Sequence, residues 1–246
     1  MGLGYIGLPT ASLLGTKGYK VHGVDISQEV VDTINGGGIH IVEPDLDIMV
    51  KSAVGSGNLT ASLEPIEADI FVIAVPTPLK TVTATSADTS PKPDTSYVEQ
   101  ATKSIAPFVK KGNLVILEST SPLGTTDDVV ARILAEHGHD LQNDVYVAHC
   151  PERVLPGRIL IELVENDRIV GGITPQATQV AAEFYREFVR GEVMSTCAKT
   201  AELVKLTENS FRDVNIAFAN ELSMICLLYT SPSPRDATLS RMPSSA

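Results

Sequence analysis

The chain opens on Gly2-Leu3-Gly4-Tyr5-Ile6-Gly7, three glycines in a G-x-G-x-x-G spacing. Glycines so spaced permit a tight turn, close backbone approach to a pyrophosphate, and close packing of a helix on a sheet. A helix starting there points its unpaired N–H groups and its positive dipole end at phosphates. Asp25 closes the predicted strand Lys20–Asp25 and lies 21 residues beyond Gly4. A carboxylate at that strand end accepts the ribose hydroxyls of NAD and repels a 2′-phosphate. A glycine turn with an incidental aspartate is the bland alternative, and the spacing argues against it. Gly2, Gly4, Tyr5, Ile6, Gly7 and Asp25 are therefore the first candidate cofactor contacts.

Two threonines hold equivalent places further on. Thr77 in AVPTP (74–78) and Thr120 in LESTSP (117–122) follow the apolar runs Ile70–Val75 and Asn113–Glu118. Apolar runs of this kind read as parallel strands buried on both faces, and ligands of open α/β sheets bind beyond their carboxyl ends. Turn formation explains the flanking prolines but accounts less well for the paired hydroxyls. Cys150-Pro151-Glu152-Arg153-Val154 follows the predicted strand Val145–His149. Cys150 and His149 alternate faces along that strand, so Cys150 reads as a small buried hydrophobe. Glu152, read from the residues alone, is half of a loop ion pair with another chain segment. Lys205, Asn209 and Arg212 stand at i, i+4 and i+7 on one face of the predicted helix Thr200–Ile225. An ammonium there could stabilise a developing oxyanion or move a proton, Asn209 can donate to the same oxygen, and Arg212 can grip a phosphate. A solvated helix face is the alternative reading.

Strands and helices alternate around these residues. Helices are expected at Leu8–Leu14, Gln28–Asn35 behind the Ser27 cap, Pro44–Val54, Ser96–Val109, Gly124–His137 and Pro175–Val189. Further short strands are expected at Arg168–Val170 and Glu192–Ser195, and residues 76–95 read as a loop. This order predicts a Rossmann-like, doubly wound parallel sheet followed by a long helix. The strand that should precede the glycines is missing, so the natural N-terminus is expected upstream of Met1.

Composition narrows the classes. The 246 residues carry a net charge of −11 and are 43% apolar. That excludes wholesale disorder and argues against nucleic-acid or anionic-membrane partners. Cys150, Cys197 and Cys226 form no CxxC pair, which gives no disulfide framework and no zinc spacing and suggests a reducing, cytoplasmic setting. His22, His40, His137 and His139 have no ligand spacing either, and no metal site is expected. Residues 227–246 hold five Ser and three Pro without an apolar period. That composition reads as a disordered tail, while the similarity of LLYTSPSPRD to translated sequencing-adapter sequence implies a non-native one.

GLGYIGLP, IHIVEPDL (39–46), AVPTP, LESTSP, HCPERVLPG (149–157), NDRIVGG (166–172) and KLTENSFRDVNIAFANELS (205–223) together resemble the UDP-glucose/GDP-mannose dehydrogenase family. The resemblance covers nearly all of residues 1–226. It implies an NAD-binding domain over 1–199, the start of a central dimerisation and catalytic helix over 200–226, and a homodimer when full length. It further implies oxidation of C6 of a UDP-sugar to a carboxylate with two NAD⁺ and water, through a cysteine-held thioester. UDP-N-acetyl-D-mannosamine is the expected substrate for bacterial surface polysaccharide, with UDP-glucose or UDP-N-acetylglucosamine as alternatives. By the same resemblance Thr77 and Thr120 contact NAD, Glu152, Lys205 and Asn209 are catalytic, and Arg153, Val154 and Arg212 bind substrate. The family's nucleophile sits in a Gly-Gly-His-Cys motif beyond this helix, and no such tetrapeptide occurs here. The chain as given is therefore expected to be inactive, and a non-catalytic nucleotide-binding fragment stays open as an alternative.

Overall fold

The structure, a computed structural model, describes residues 1–80 and 91–229. One compact unit spans Met1–Lys205 and a second begins at Leu206.

In the first unit, β1 (Val21–Val24) pairs in parallel with β2 (Leu59–Ser62). A second sheet has the order β3-β4-β5-β6-β7, formed by Ile70–Ile73, Leu114–Leu117, Tyr146–His149, Arg168–Gly172 and Val193–Cys197. Helices α1 (Gly7–Thr16), α2 (Gln28–Asn35), α3 (Leu46–Gly55), α4 (Ser96–Ile105), α5 (Arg132–Glu136), α6 (Ile159–Glu165) and α7 (Pro175–Arg186) connect and cover the strands. All four residues of β4 are buried, as a central strand covered on both faces requires. Alternation along the strand divides the core. Leu114 and Ile116 join Ala148, Cys150 and the aromatic ridge Phe184, Tyr185 and Phe188. Val115 and Leu117 point the other way, toward Val98, Ile105, Val130 and Leu134. A third cluster packs Leu3, Leu8, Ile34, Leu46, Val50 and Leu59 around β1 and β2.

Met1 and Gly2 run between the two sheets. The Met1 amino group donates to Val72 O and the Met1 carbonyl accepts from Ala74 N, both at 2.8 Å. Gly2 N donates to Val24 O at 2.8 Å, so these two residues tie β1 to β3 just ahead of the glycine turn.

The α/β alternation expected from sequence is present, with local differences. Ser27 caps α2 by accepting from Val30 N. The helix expected from Pro44 begins at Leu46, after Asp45 at φ +62°. The helix expected to reach Val109 stops at Ile105 and tightens into a 3₁₀ turn at Ala106–Phe108, since Pro107 donates no N–H. The expected helix 124–137 starts with π-type winding over Thr126–Ala131 before α5. β6 pairs with its neighbour β5 antiparallel, through Ala148↔Gly172 and His149↔Gly171, the one such pair in an otherwise parallel sheet among the described strands. Two elements escaped the sequence pattern, β2 and α6. β2 alternates Leu-Thr-Ala-Ser over only four residues, too short for a periodic signal.

Helix α8 (Ala198–Tyr229) crosses from the first unit into the second. In the second unit Phe211, Val214, Phe218 and Leu222 are exposed apolar residues. No described helix is long and apolar enough to cross a membrane. Part of the expected 76–95 loop, residues 81–90, and the expected tail from residue 230 lie outside the described residues.

Candidate functional site

The glycine turn can be read position by position. At Gly2, with φ +82°, an added Cβ would lie 2.7 Å from Ala74 O. At Gly7 it would lie 1.8 Å from Gly2 O. Backbone therefore packs on backbone at both ends of the motif. Gly4 differs: a Cβ there meets no heavy atom within 4 Å. Packing within the protein therefore does not require glycine there, whereas close approach of a pyrophosphate to the start of a helix would. Tyr5 is exposed and Ile6 partly buried beside it.

Asp25 is bound into the same turn. Its Oδ2 accepts from Leu3 N at 2.9 Å and its Oδ1 from Ser27 N at 3.0 Å. The carboxylate thus fixes the strand end against the glycine loop and stays partly exposed. Each oxygen keeps a further lone pair for a hydroxyl donor. Across the sheet, Thr77 Oγ1 donates to Thr120 O at 2.5 Å, which joins the loops after β3 and β4. Ser119 Oγ donates to Val75 O at 2.7 Å beside it.

Glu152 is 5% exposed and ion-paired at 2.5 Å with Arg168, itself 1% exposed. Its other oxygen accepts from Arg153 N at 2.7 Å. The ion-pair alternative for Glu152 is thus realised, with a buried partner from β6. Arg168 also donates to Leu163 O and lies 5.5 Å from the centre of the Tyr185 ring. Tyr185 Oη donates in turn to Glu118 Oε1 at 2.6 Å. Two carboxylates therefore share the neighbourhood of one guanidinium. Burial, and then the charge of Glu152, pushes Glu118 up to about 7. Cys150 packs in the same core and burial pushes its thiol up to about 12, as a structural cysteine. His149 is fully buried, and burial lowers it to about 4, so it is neutral.

The 153–158 loop is held from a distance. Glu43 Oε2 accepts from Gly157 N at 2.8 Å and Glu43 Oε1 from Ile159 N at 2.7 Å. Arg153 reaches Asp167 O at 3.3 Å, and Val154, partly buried, packs against the core cluster that includes Cys150 and Tyr185. On α8, Lys205 is partly buried at the end of the first unit. Asn209, partly buried, and Arg212, exposed, belong to the second. Glu118, Arg168 and Tyr185 were not singled out from sequence. Glu118 directly follows the wholly apolar β4 and Arg168 opens β6, and a charge so placed is the available signal.

The family model of the UDP-glucose/GDP-mannose dehydrogenase NAD-binding domain matches residues 1–189, and that of the family's central domain matches residues 199–230. The chain belongs to the UDP-glucose/GDP-mannose dehydrogenase family. It is 56% identical over 234 residues to the UDP-N-acetyl-D-mannosamine dehydrogenase of Escherichia coli K12, covering 92% of this chain and 54% of that protein. It is 55% identical to the NDP-N-acetyl-D-galactosaminuronic acid dehydrogenase of Ralstonia nicotianae, covering 92% and 53%. Among solved structures, the UDP-N-acetyl-mannosamine dehydrogenase of Staphylococcus aureus matches with a TM-score of 0.84 at 48% identity, covering 92% of this chain and 53% of that one. The chain spans about half the length of these dehydrogenase-family relatives.

Two predictions follow from this geometry. Gly4→Ala should leave unfolding within about 0.5 kcal/mol of the parent yet weaken NAD⁺ binding. Gly7→Ala should lose at least about 2 kcal/mol from the backbone clash. Urea titrations with NADH fluorescence separate the two, and equal destabilisation would contradict the assignment of the open space. The second concerns Glu118, whose folded value near 7 exceeds its ordinary 4.5. A raised carboxyl costs stability increasingly as pH climbs from the unfolded to the folded value. Glu118→Gln keeps the acceptor for Tyr185, so its stability relative to the parent should improve between about pH 5 and pH 8. A pH-independent difference in urea midpoints would contradict this.

Proposed function

We propose that this chain is the dinucleotide-binding portion of an NAD-dependent nucleotide-sugar 6-dehydrogenase acting on UDP-N-acetyl-D-mannosamine to give the uronate. The observation that carries the reading is the open space over Gly4 together with the Asp25 carboxylate fixed beside it. On this reading residues 1–199 form the NAD-binding domain, and residues 200–226 begin a central helix through which two copies associate. The exposed apolar residues of that helix support the homodimer. Relatives of nearly equal identity bear names for two N-acetylhexosamine nucleotides, so the N-acetylated sugar class is better supported than UDP-glucose.

The bound dinucleotide supplies the hydride acceptor. The chain's own residues bind and orient. Gly2–Gly7 and the start of α1 receive the pyrophosphate, Asp25 the adenosine ribose, and the joined Thr77 and Thr120 loops the nicotinamide side. Glu152, held by Arg168 and Arg153 N, keeps lone pairs that can orient a water. Lys205 stabilises oxygen charge at the reacting carbon, and Arg153 and the Val154 backbone meet the sugar nucleotide; for Asn209 and Arg212 the family resemblance alone supports a catalytic and a substrate-binding role.

Asp25→Ala should weaken NAD⁺ binding about ten- to a hundredfold, the range for losing bonds to a charged acceptor. NADP⁺ should lose less, since the repelling carboxylate has gone. Calorimetry with both dinucleotides checks this, and equal losses would reduce Asp25 to a loop anchor. The chain itself should bind NAD⁺ but form no NADH from any UDP-sugar, and measurable turnover by absorbance would overturn that.

A further inference from the structure

Glu202, in α8, is 1% exposed. Its Oε2 accepts from Gly124 N at 2.5 Å, while its Oε1 accepts from Thr126 N at 2.8 Å and Thr126 Oγ1 at 2.6 Å. These amides open the helical segment that leads into α5, where a helix start leaves N–H groups without internal partners. A carboxylate there also meets the positive end of the segment. The acceptor comes from 76 residues further along the chain.

The start of α8 is seated from another side as well. Ala198 and Ala201 are buried, and a Cβ added at Gly171 in β6 would lie 2.3 Å from Cys197 O. Backbone against backbone at β6, and three charge-assisted bonds at Gly124–Thr126, leave these first turns no room to slide. Lys205 stands three residues beyond Glu202, one helical turn on. Thr120 stands four residues before Gly124, on the far side of Pro122.

We propose that Glu202 is a positioning residue that bolts the first turns of α8 to the Gly124–Thr126 turn, so that a dinucleotide ordering the Thr120 loop also sets the place of Lys205. The proposal rests on the reading of Thr120 as a cofactor contact. Chemistry favours a carboxylate over its amide here. In Glu202→Gln the carbonyl can still accept from Thr126, but the amide NH₂ would face Gly124 N–H, donor against donor.

Hydrogen exchange read by mass spectrometry on this chain, with and without NAD⁺, tests it. In the parent, NAD⁺ should slow exchange at residues 2–7, at 119–126 and also at 198–205. In Glu202→Gln, protection at 2–7 should persist while the NAD⁺-dependent protection of 198–205 falls about tenfold or more. Equal protection of 198–205 in parent and variant overturns the proposal. Without ligand, Gly124 and Thr126 amides should exchange about tenfold faster in Glu202→Gln, and unchanged rates also overturn it. Absence of NAD⁺ protection at 2–7 in the parent would instead sink the cofactor reading, and the ligand-free comparison would still decide the clamp. Thr126→Val removes only the hydroxyl bond and serves should Glu202→Gln fail to fold. It should lose part of the 198–205 protection, and no loss would count against the proposal.

Discussion

Loops beyond the carboxyl ends of parallel strands carry backbone N–H groups that the sheet cannot satisfy, and burying them unpaired is costly. In this molecule carboxylates accept from them, some from the same loop and others from distant segments. Asp25 accepts from Leu3 and Ser27, Glu43 from Gly157 and Ile159, Glu152 from Arg153, and Glu202 from Gly124 and Thr126. Each pins a loop at the edge of the sheet where a doubly wound fold binds its ligands. The acidic residues behind the net charge thus include a set that works inside the fold. Loops fixed in this way can present N–H groups and hydroxyls without reorganising when a ligand arrives.

The cluster beneath the site follows a different logic. Glu118 and Glu152 flank a single buried Arg168, and only Glu152 is ion-paired with it. Glu118 has one buried oxygen without a partner and a proton held to near neutral pH. Removing Arg168 would strand Glu152 as an unpaired buried charge, which costs more than the pair itself returns. The pair therefore fixes Glu152 in place, whatever its share of overall stability. Tyr185 links the two halves, through its hydroxyl to Glu118 and its ring to Arg168.

Much of this was legible in the residues. The glycine spacing, Asp25 at its strand end and the apolar strands marked the fold, because periodicity and backbone freedom leave local traces. The Ser27 cap and the buried Cys150 were readable for the same reason. β2 and α6 were not, being short and weakly periodic. Nor were the partners of Glu43, Glu152 and Glu202, since a side chain's acceptor role depends on residues 76 or more positions away for Glu202 and 114 or more for Glu43. The antiparallel β6 was hidden too, because strand direction depends on the connection, and the loop before α6 carries no directional signal. Family resemblance marked LESTSP and HCPERVLPG as functional, while the geometry shows which of their side chains are held and by what.

On the proposed function, one dinucleotide spans the chain from Asp25 over Gly4 to the joined Thr77 and Thr120 loops. A crystal structure of this chain with NAD⁺ tests it most directly. The pyrophosphate is expected over Gly4 at the start of α1, the adenosine ribose hydroxyls on Asp25, and the nicotinamide beside Thr77 and Thr120. A dinucleotide bound elsewhere, or with its ribose away from Asp25, would contradict it.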